Sequence, residues 1–86
     1  MSRRYETVVT ISIAGDERDA MVRAHVTVEH GLGMGGGLGA ALDGDAEVRI
    51  GRSWVPVDVA DLAEGDIARI TEALEEEALN DDREVA

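Results

Sequence analysis

The stretch AMVRAHVTVE, residues 20–29, alternates apolar and polar side chains from Val22 to Glu29. Successive side chains of a β-strand point to opposite faces, so the pattern predicts a strand with one buried and one wet face. The face predicted to be buried carries Val22, Ala24, Val26 and Val28. Such a strand needs neighbouring strands and an apolar layer over one face, and the flanking sequence supplies both.

The stretch that precedes it, residues 5–14, alternates in the same way. Val9, Ile11 and Ile13 fall on one side, and the intervening GDERD segment is typical of a tight turn. Together the two stretches predict an antiparallel hairpin.

A second hairpin is predicted from AEVRI, residues 46–50, and WVPVDV, residues 54–59. Pro56 cannot donate to a strand ladder, which predicts a short strand or one at an edge. We expect the valines of this strand to share one side, namely Val55, Val57 and Val59. Trp54 then lies on the opposite face, half-covered or exposed.

One helix is predicted near the C-terminus, with regular structure beginning close to Asp66. Its apolar stripe consists of Ile67, Ile70, Leu74 and Ala78. This stripe must cover the sheet, so the sequence predicts a two-layer α+β fold, a four-stranded antiparallel sheet of two hairpins under one C-terminal helix. The 86 residues form a single small domain without cysteine, and residues 80–86 are expected to be a frayed acidic tail.

Seven of the ten glycines lie in residues 30–44, HGLGMGGGLGAALDG. Gly31, Gly33 and Gly36 match G-x-G-x-x-G, but the segment that follows leaves no room for a crossover helix and a parallel strand. We therefore expect no nucleotide or other cofactor here. The composition favours a flexible loop over residues 30–45 that connects the hairpins.

The same loop also carries large apolar side chains, which are unusual in an inert linker. Two interpretations are equally compatible with this composition. The segment is either an inert flexible linker or a pliable apolar flap that folds onto the domain, a second subunit or a target. The candidate secondary contacts are Leu32, Met34, Leu38 and Trp54.

Charge is the most informative bulk property of the chain. There are 19 acidic residues against eight arginines, a net charge of −11, and residues 53–86 hold eleven of the acids. Binding to phosphates depends on Lys and Arg, so we expect no direct contact with nucleic acid. A negative surface instead suits a basic protein partner.

The predicted helix and its approach hold the candidate partner-binding residues: Asp58, Asp61, Glu64, Asp66, Glu72, Glu75, Glu76 and Glu77. Carboxylates four apart on a helix have Cβ atoms about 6 Å apart, comparable with the spacing of phosphates along a DNA strand. Arg69 is expected to pair with Asp66 or Glu72. A solubilising helix face has the same composition, and that interpretation stays open.

No catalytic or metal-binding set is evident. His25, Glu29 and His30 have no familiar ligand spacing, and the serines lack a nucleophile motif. We expect no metal, and we expect a protein that is not an enzyme. An enzyme or ligand-binding protein would need a pocket between residues 31–44 and the sheet.

The order of these segments resembles that of short acidic proteins from phage and prophage accessory regions. The resemblance spans residues 7–79 and rests on AEVRI (46–50), VPVDVADL (55–62) and IARITEALEEEA (67–78). Members with known roles include anti-CRISPR and anti-restriction proteins, several of which are acidic and imitate nucleic acid. The resemblance brings no catalytic residue, and the glycine loop departs from the more proline-rich versions.

Two function hypotheses follow. The first is a phage-type inhibitor that binds a nucleic-acid-binding defence complex of the host, such as a CRISPR effector, through its acidic face. The alternative is a homo-oligomeric assembly or interaction module, for example a homodimer through Trp54, a sheet edge or the glycine loop. No apolar run approaches the roughly 20 residues that span a bilayer, so we expect a cytoplasmic protein in a bacterial host and no membrane contact.

Overall fold

A computed structural model describes residues 2–13, 15–60 and 62–85. Its regular elements are strand β1 (Ser2–Ile13), strand β2 (Asp16–His30), a short 3₁₀ helix (Met34–Gly36), strand β3 (Leu38–Ile50), strand β4 (Ser53–Pro56) and helix α1 (Glu64–Val85). The four strands form one antiparallel sheet, and the helix packs on one of its faces. The predicted two-layer α+β fold is confirmed.

The sheet is a meander, with the strands side by side in chain order. β1 pairs with β2 without interruption from Ser2↔Thr27 to Ile13↔Asp16. The alternation that predicted β2 is confirmed, because Val22, Ala24 and Val26 are buried under the helix. The residues between them face away from the helix: His25 is exposed and Arg23 is half-buried.

The core lies between the sheet and α1. Its fully buried large side chains come from β1, β2, β3 and the helix: Ile11, Val22, Val26, Val48, Ile70 and Leu74. Aliphatic packing therefore holds the two layers together, since burying one such side chain contributes about 1.5–3 kcal/mol.

The glycine-rich loop is shorter than predicted, because β3 begins at Leu38 and takes in most of the second half of the stretch. The expectation of a loop over residues 30–45 is wrong for 38–45, where pairing with β2 outweighs the low strand propensity of glycine. The remaining turn folds tightly on itself, since the amides of Gly31 and Gly33 both donate to the carbonyl of Gly37 at 3.0 Å.

Close backbone contact explains two glycines of this turn. A Cβ on Gly33 would lie 2.5 Å from the carbonyl oxygen of Leu38, and a Cβ on Gly39 would meet the backbone of Leu32 and Gly33. Only glycine fits at such a crossing. The close approach of the two backbone segments therefore requires glycine at both positions.

β4 is a short edge strand, as Pro56 predicted. The prediction that the three valines lie on one side of the strand is wrong for Val59, which is 72% exposed. The strand stops at Pro56, whose carbonyl accepts hydrogen bonds from the amides of Val59 and Ala60. That turn directs the chain towards the helix and moves Val59 off the sheet.

α1 begins at Glu64 and continues to Val85, so the frayed tail predicted for 80–86 is wrong for 80–85. The last turns are tied to β1, because Tyr5 donates a hydrogen bond to Asp81 at 2.9 Å and Arg3 lies 3.5 Å from the same carboxylate. Ala86 lies outside the described residues.

Candidate functional site

Four glutamates of α1 form the most acidic surface of the helix. We call Glu72, Glu75, Glu76 and Glu77 the acidic ridge. Glu72, Glu76 and Glu77 are exposed, and Glu75 is half-buried. Among the side chains of α1 that the structure describes, those of residues 64–81, seven are acidic and one, Arg69, is basic.

The helical repeat decides which way the ridge points. Ile70, Leu74 and Ala78 are fully buried against the sheet at a spacing of four residues. Residues two positions away from this stripe lie about 200° around the helix, which puts Glu72 and Glu76 on the side opposite the core. The outward direction expected for these two side chains is confirmed.

An open depression of the helix surface borders three of the ridge carboxylates. A cavity of about 420 Å³ is lined by Glu72, Glu75, Glu76, Leu79 and Asn80. Leu79 is half-buried and offers hydrocarbon surface among the carboxylates. The surface therefore combines negative charge with an apolar contact area, which a purely solubilising face does not require.

Burial and a neighbouring charge both change the pKa of Glu75. Its partial burial raises the pKa of the Glu75 carboxyl, and the negative charge of Glu72 raises that pKa further. Both effects disfavour the ionised form. A cationic group placed beside Glu75 would act in the opposite direction.

Five of the described arginines form ion pairs, and all five pair with carboxylates outside the ridge. The ion pairs are Arg3–Asp81, Arg4–Glu6, Arg18–Asp16, Arg23–Glu47 and Arg69–Asp66. Among the side chains that the structure describes, those of residues 2–13, 15–33, 35–60 and 62–81, no arginine forms an ion pair with a ridge glutamate. The expected pairing of Arg69 is confirmed for Asp66, at 3.8 Å.

The remaining acidic candidates differ in their exposure. Asp58 and Glu64 are exposed, while Asp61 lies outside the described residues. Asp66 is only 8% exposed, so little of this candidate partner-binding residue is accessible to a partner. It occupies the buried stripe, four residues before Ile70, in the first turn, where the helix dipole favours a carboxylate.

The candidate secondary contacts do not form one surface with the ridge. Leu32 is 49% exposed, at the tip of the glycine turn, and Leu38 is half-buried in β3. The backbone of Met34 belongs to the 3₁₀ helix, and its side chain is not described. Trp54 is half-buried on the sheet face away from α1, with the guanidinium of Arg23 4.0 Å from its ring centroid.

Sequence reasoning missed two features. Asp81 was assigned to the tail, yet it anchors the end of α1 to β1. A bulge in β3 brings Asp45 beside Asp58 at a second cavity. The signal for the bulge was available, because Gly44 between two aspartates interrupts an alternating strand.

The hydrogen-bonded carboxylate of Asp43 lies on the open sheet face. Hydrogen bonds from Thr27 and Ser2 lower the pKa of Asp43, and the charge of nearby His25 acts in the same direction. Within the described residues, no three histidine or acidic side chains are grouped so that they could hold a metal ion.

Neither a protein family, nor a curated protein, nor a solved structure matches the chain. Within its described part, α1 is the one α-helix, and it is too polar to cross a lipid bilayer.

Proposed function

We propose that the protein is a phage-type inhibitor of a nucleic-acid-binding defence complex of the host, of the anti-CRISPR kind. It binds its target stoichiometrically in the host cytoplasm, and the acidic ridge occupies a groove that otherwise holds nucleic acid. The proposal includes no catalytic step, cofactor or direct contact with DNA or RNA.

One observation carries this proposal. Glu72, Glu76 and Glu77 are exposed, and no described arginine forms an ion pair with a ridge carboxylate. Like charges three and four apart destabilise a helix by about 0.2–0.5 kcal/mol per pair. A basic groove would relieve this repulsion on binding, and the complementary charge would speed association.

The test is a competition assay. CRISPR effector complexes of several types are purified with their guide RNA, and the binding of labelled target DNA is measured as the protein is titrated in. We expect loss of DNA binding by at least one effector at close to equimolar protein. Charge reversal at Glu72, Glu75 and Glu76 should abolish this effect, and undiminished inhibition by the reversed protein would contradict the mechanism.

A separate observation favours the second candidate, a homo-oligomeric module. Val8 and Met21 are paired across β1 and β2 on the uncovered sheet face and are 57% and 38% exposed. Exposed apolar side chains in contact on a sheet face are typical of an interface. Sedimentation velocity of the protein and of a Val8→Lys variant tests this, since a dimer through this face should dissociate in the variant.

A further inference from the structure

A second cavity lies between α1 and the sheet, one turn before the acidic ridge. Its volume is about 220 Å³, below the range of about 300–1,000 Å³ that is usual for pockets of drug-sized ligands. Val57 and Ile70 form a buried floor, Leu42 and Ile67 form half-buried walls, and Asp45 and Asp58 lie exposed at the rim. We call it the Asp45–Asp58 pocket.

The bulge in β3 builds this pocket. The pairing of β2 with β3 passes from Arg23↔Glu47 to His25↔Asp43, so three residues of β3 lie opposite a single residue of β2. Gly44 takes a φ of +83° there, which places Asp45 at the edge of the cavity. Bulges of this kind redirect side chains and are common beside functional sites.

The segment that follows β4 forms the side of the pocket opposite the bulge. The amide of Val57 donates a 3.0 Å hydrogen bond to the carbonyl of Ala46, directly after the bulge. This contact fixes Val57 in the floor and brings Asp58 to the same cavity as Asp45. Two carboxylates that are far apart in the sequence therefore border one apolar cavity.

The chemistry of the pocket selects its occupant. Neither Asp45 nor Asp58 takes part in an ion pair with another described residue. An arginine side chain buries its methylene stem against hydrocarbon and keeps its charged end near the surface. Its guanidinium carries five donors in a planar fork, so it can bond two carboxylates at once.

We propose that the Asp45–Asp58 pocket receives one arginine side chain of the basic partner. This inference rests on the proposed function and extends it, because Thr71 of the pocket lining directly precedes Glu72 of the ridge in α1 and one partner would contact both. Arginines that fill a pocket at the centre of an interface often contribute a large share of the binding energy.

The test uses the protein alone and capped arginine (N-acetyl-arginine N-methylamide) as the probe. Titration into ¹⁵N-labelled protein should give saturable amide shifts centred on Leu42, Ala46, Val57 and Ile67. Capped citrulline is the uncharged isostere of arginine and should give no saturable shifts. Equal binding of capped citrulline, or shifts confined to the ridge, would overturn the proposal.

Two doubly substituted proteins separate the pocket from general charge. Asp45→Asn with Asp58→Asn should weaken binding of capped arginine at least about fivefold, since each exposed ion pair contributes up to about 1 kcal/mol. Glu76→Gln with Glu77→Gln removes the same charge from the ridge and should change affinity less than about twofold by loss of screened attraction alone. An equal effect of the two pairs would overturn the proposal, and unchanged urea midpoints would establish that both proteins are folded.

These outcomes are independent of the competition assay. If no CRISPR effector is inhibited, the proposed target is wrong, while saturable binding of capped arginine still supports the pocket. If an effector is inhibited and capped arginine does not bind, the proposed role of the ridge stands and the proposed arginine site is wrong.

Discussion

The phenolic oxygen of Tyr5 donates a 2.9 Å hydrogen bond to Oδ2 of Asp81, across 76 positions of the sequence. The contact joins the first strand to the end of α1 and explains why the helix continues past the residues predicted to fray. The direction of the acidic ridge itself follows from the burial of Ile70, Leu74 and Ala78 against the sheet.

Replacing Tyr5 with Phe tests this anchor. The ring is kept and the hydrogen bond is lost, so we expect a destabilisation of about 0.5–1.5 kcal/mol in urea unfolding. Hydrogen exchange should accelerate most in the last two turns of α1. Uniform acceleration along the helix, or none, would mean that the contact does not hold the helix end.

Alanine at Gly39 tests the packing of the glycine turn. The added Cβ would meet the backbone of Leu32 and Gly33, so we expect a loss of about 1–3 kcal/mol in the free energy of unfolding. Gly65→Ala is the opposite control, because nothing lies within 4 Å of a Cβ there and helix propensity favours alanine by up to about 1 kcal/mol. Equal stability of the two variants would contradict the close crossing.

The pH dependence of Glu75 follows from its raised pKa. Below the pKa that the carboxyl has in the unfolded chain, about 4.3, it is protonated in the folded and the unfolded protein and does not affect stability. As pH rises from the unfolded-state pKa to the folded-state pKa, the unfolded protein releases this proton first. The Glu75 carboxyl therefore lowers the free energy of unfolding, and the loss persists at higher pH. Glu75→Gln should therefore stabilise the protein by a few tenths of a kcal/mol at neutral pH and leave it unchanged near pH 3.

Urea unfolding at a series of pH values measures this difference. Glu72→Gln provides a second check, since removing the neighbouring charge should lower the pKa of Glu75 towards its ordinary value. A Glu75→Gln protein that is less stable than the parent at neutral pH would contradict the sign.

The stacking of Arg23 on Trp54 can be followed directly, because Trp54 is the single tryptophan of the chain. Nε of Arg23 also lies 2.9 Å from Oε1 of Glu47, so the guanidinium is held on both sides. Arg23→Lys keeps the charge and loses the planar stack, and we expect a cost of about 0.5–1 kcal/mol and a red-shifted tryptophan emission. An unchanged emission spectrum would show that the stack does not shield the indole.

Local patterns predicted the layers of this fold well. The alternation around Val22 and Val26 and the four-residue spacing of Ile70 and Leu74 follow directly from strand and helix geometry. Trp54 was placed on the correct face by the same periodicity. These features depend on neighbours in the sequence, which is why sequence reasoning could find them.

Features that depend on distant contacts were beyond the sequence patterns. Gly39 has low strand propensity, yet pairing with Glu29 places it in β3. Asp66 has a polar side chain, which hid its position on the buried stripe of α1. Tyr5 and Asp45 acquire their roles from partners more than ten residues away.

The most direct measurement of the central claim compares two triple variants with equal charge. Glu72→Gln, Glu76→Gln and Glu77→Gln neutralise the ridge, and Glu6→Gln, Glu17→Gln and Glu29→Gln remove three exposed charges on the sheet side. Affinity for the inhibited effector is measured at about 50 and about 300 mM NaCl, where screening differs strongly. We predict that the ridge variant loses at least about tenfold in affinity and most of the salt dependence, while the sheet variant changes less than about threefold. Equal losses for the two variants would show that only net charge matters and would contradict the acidic ridge as the binding surface.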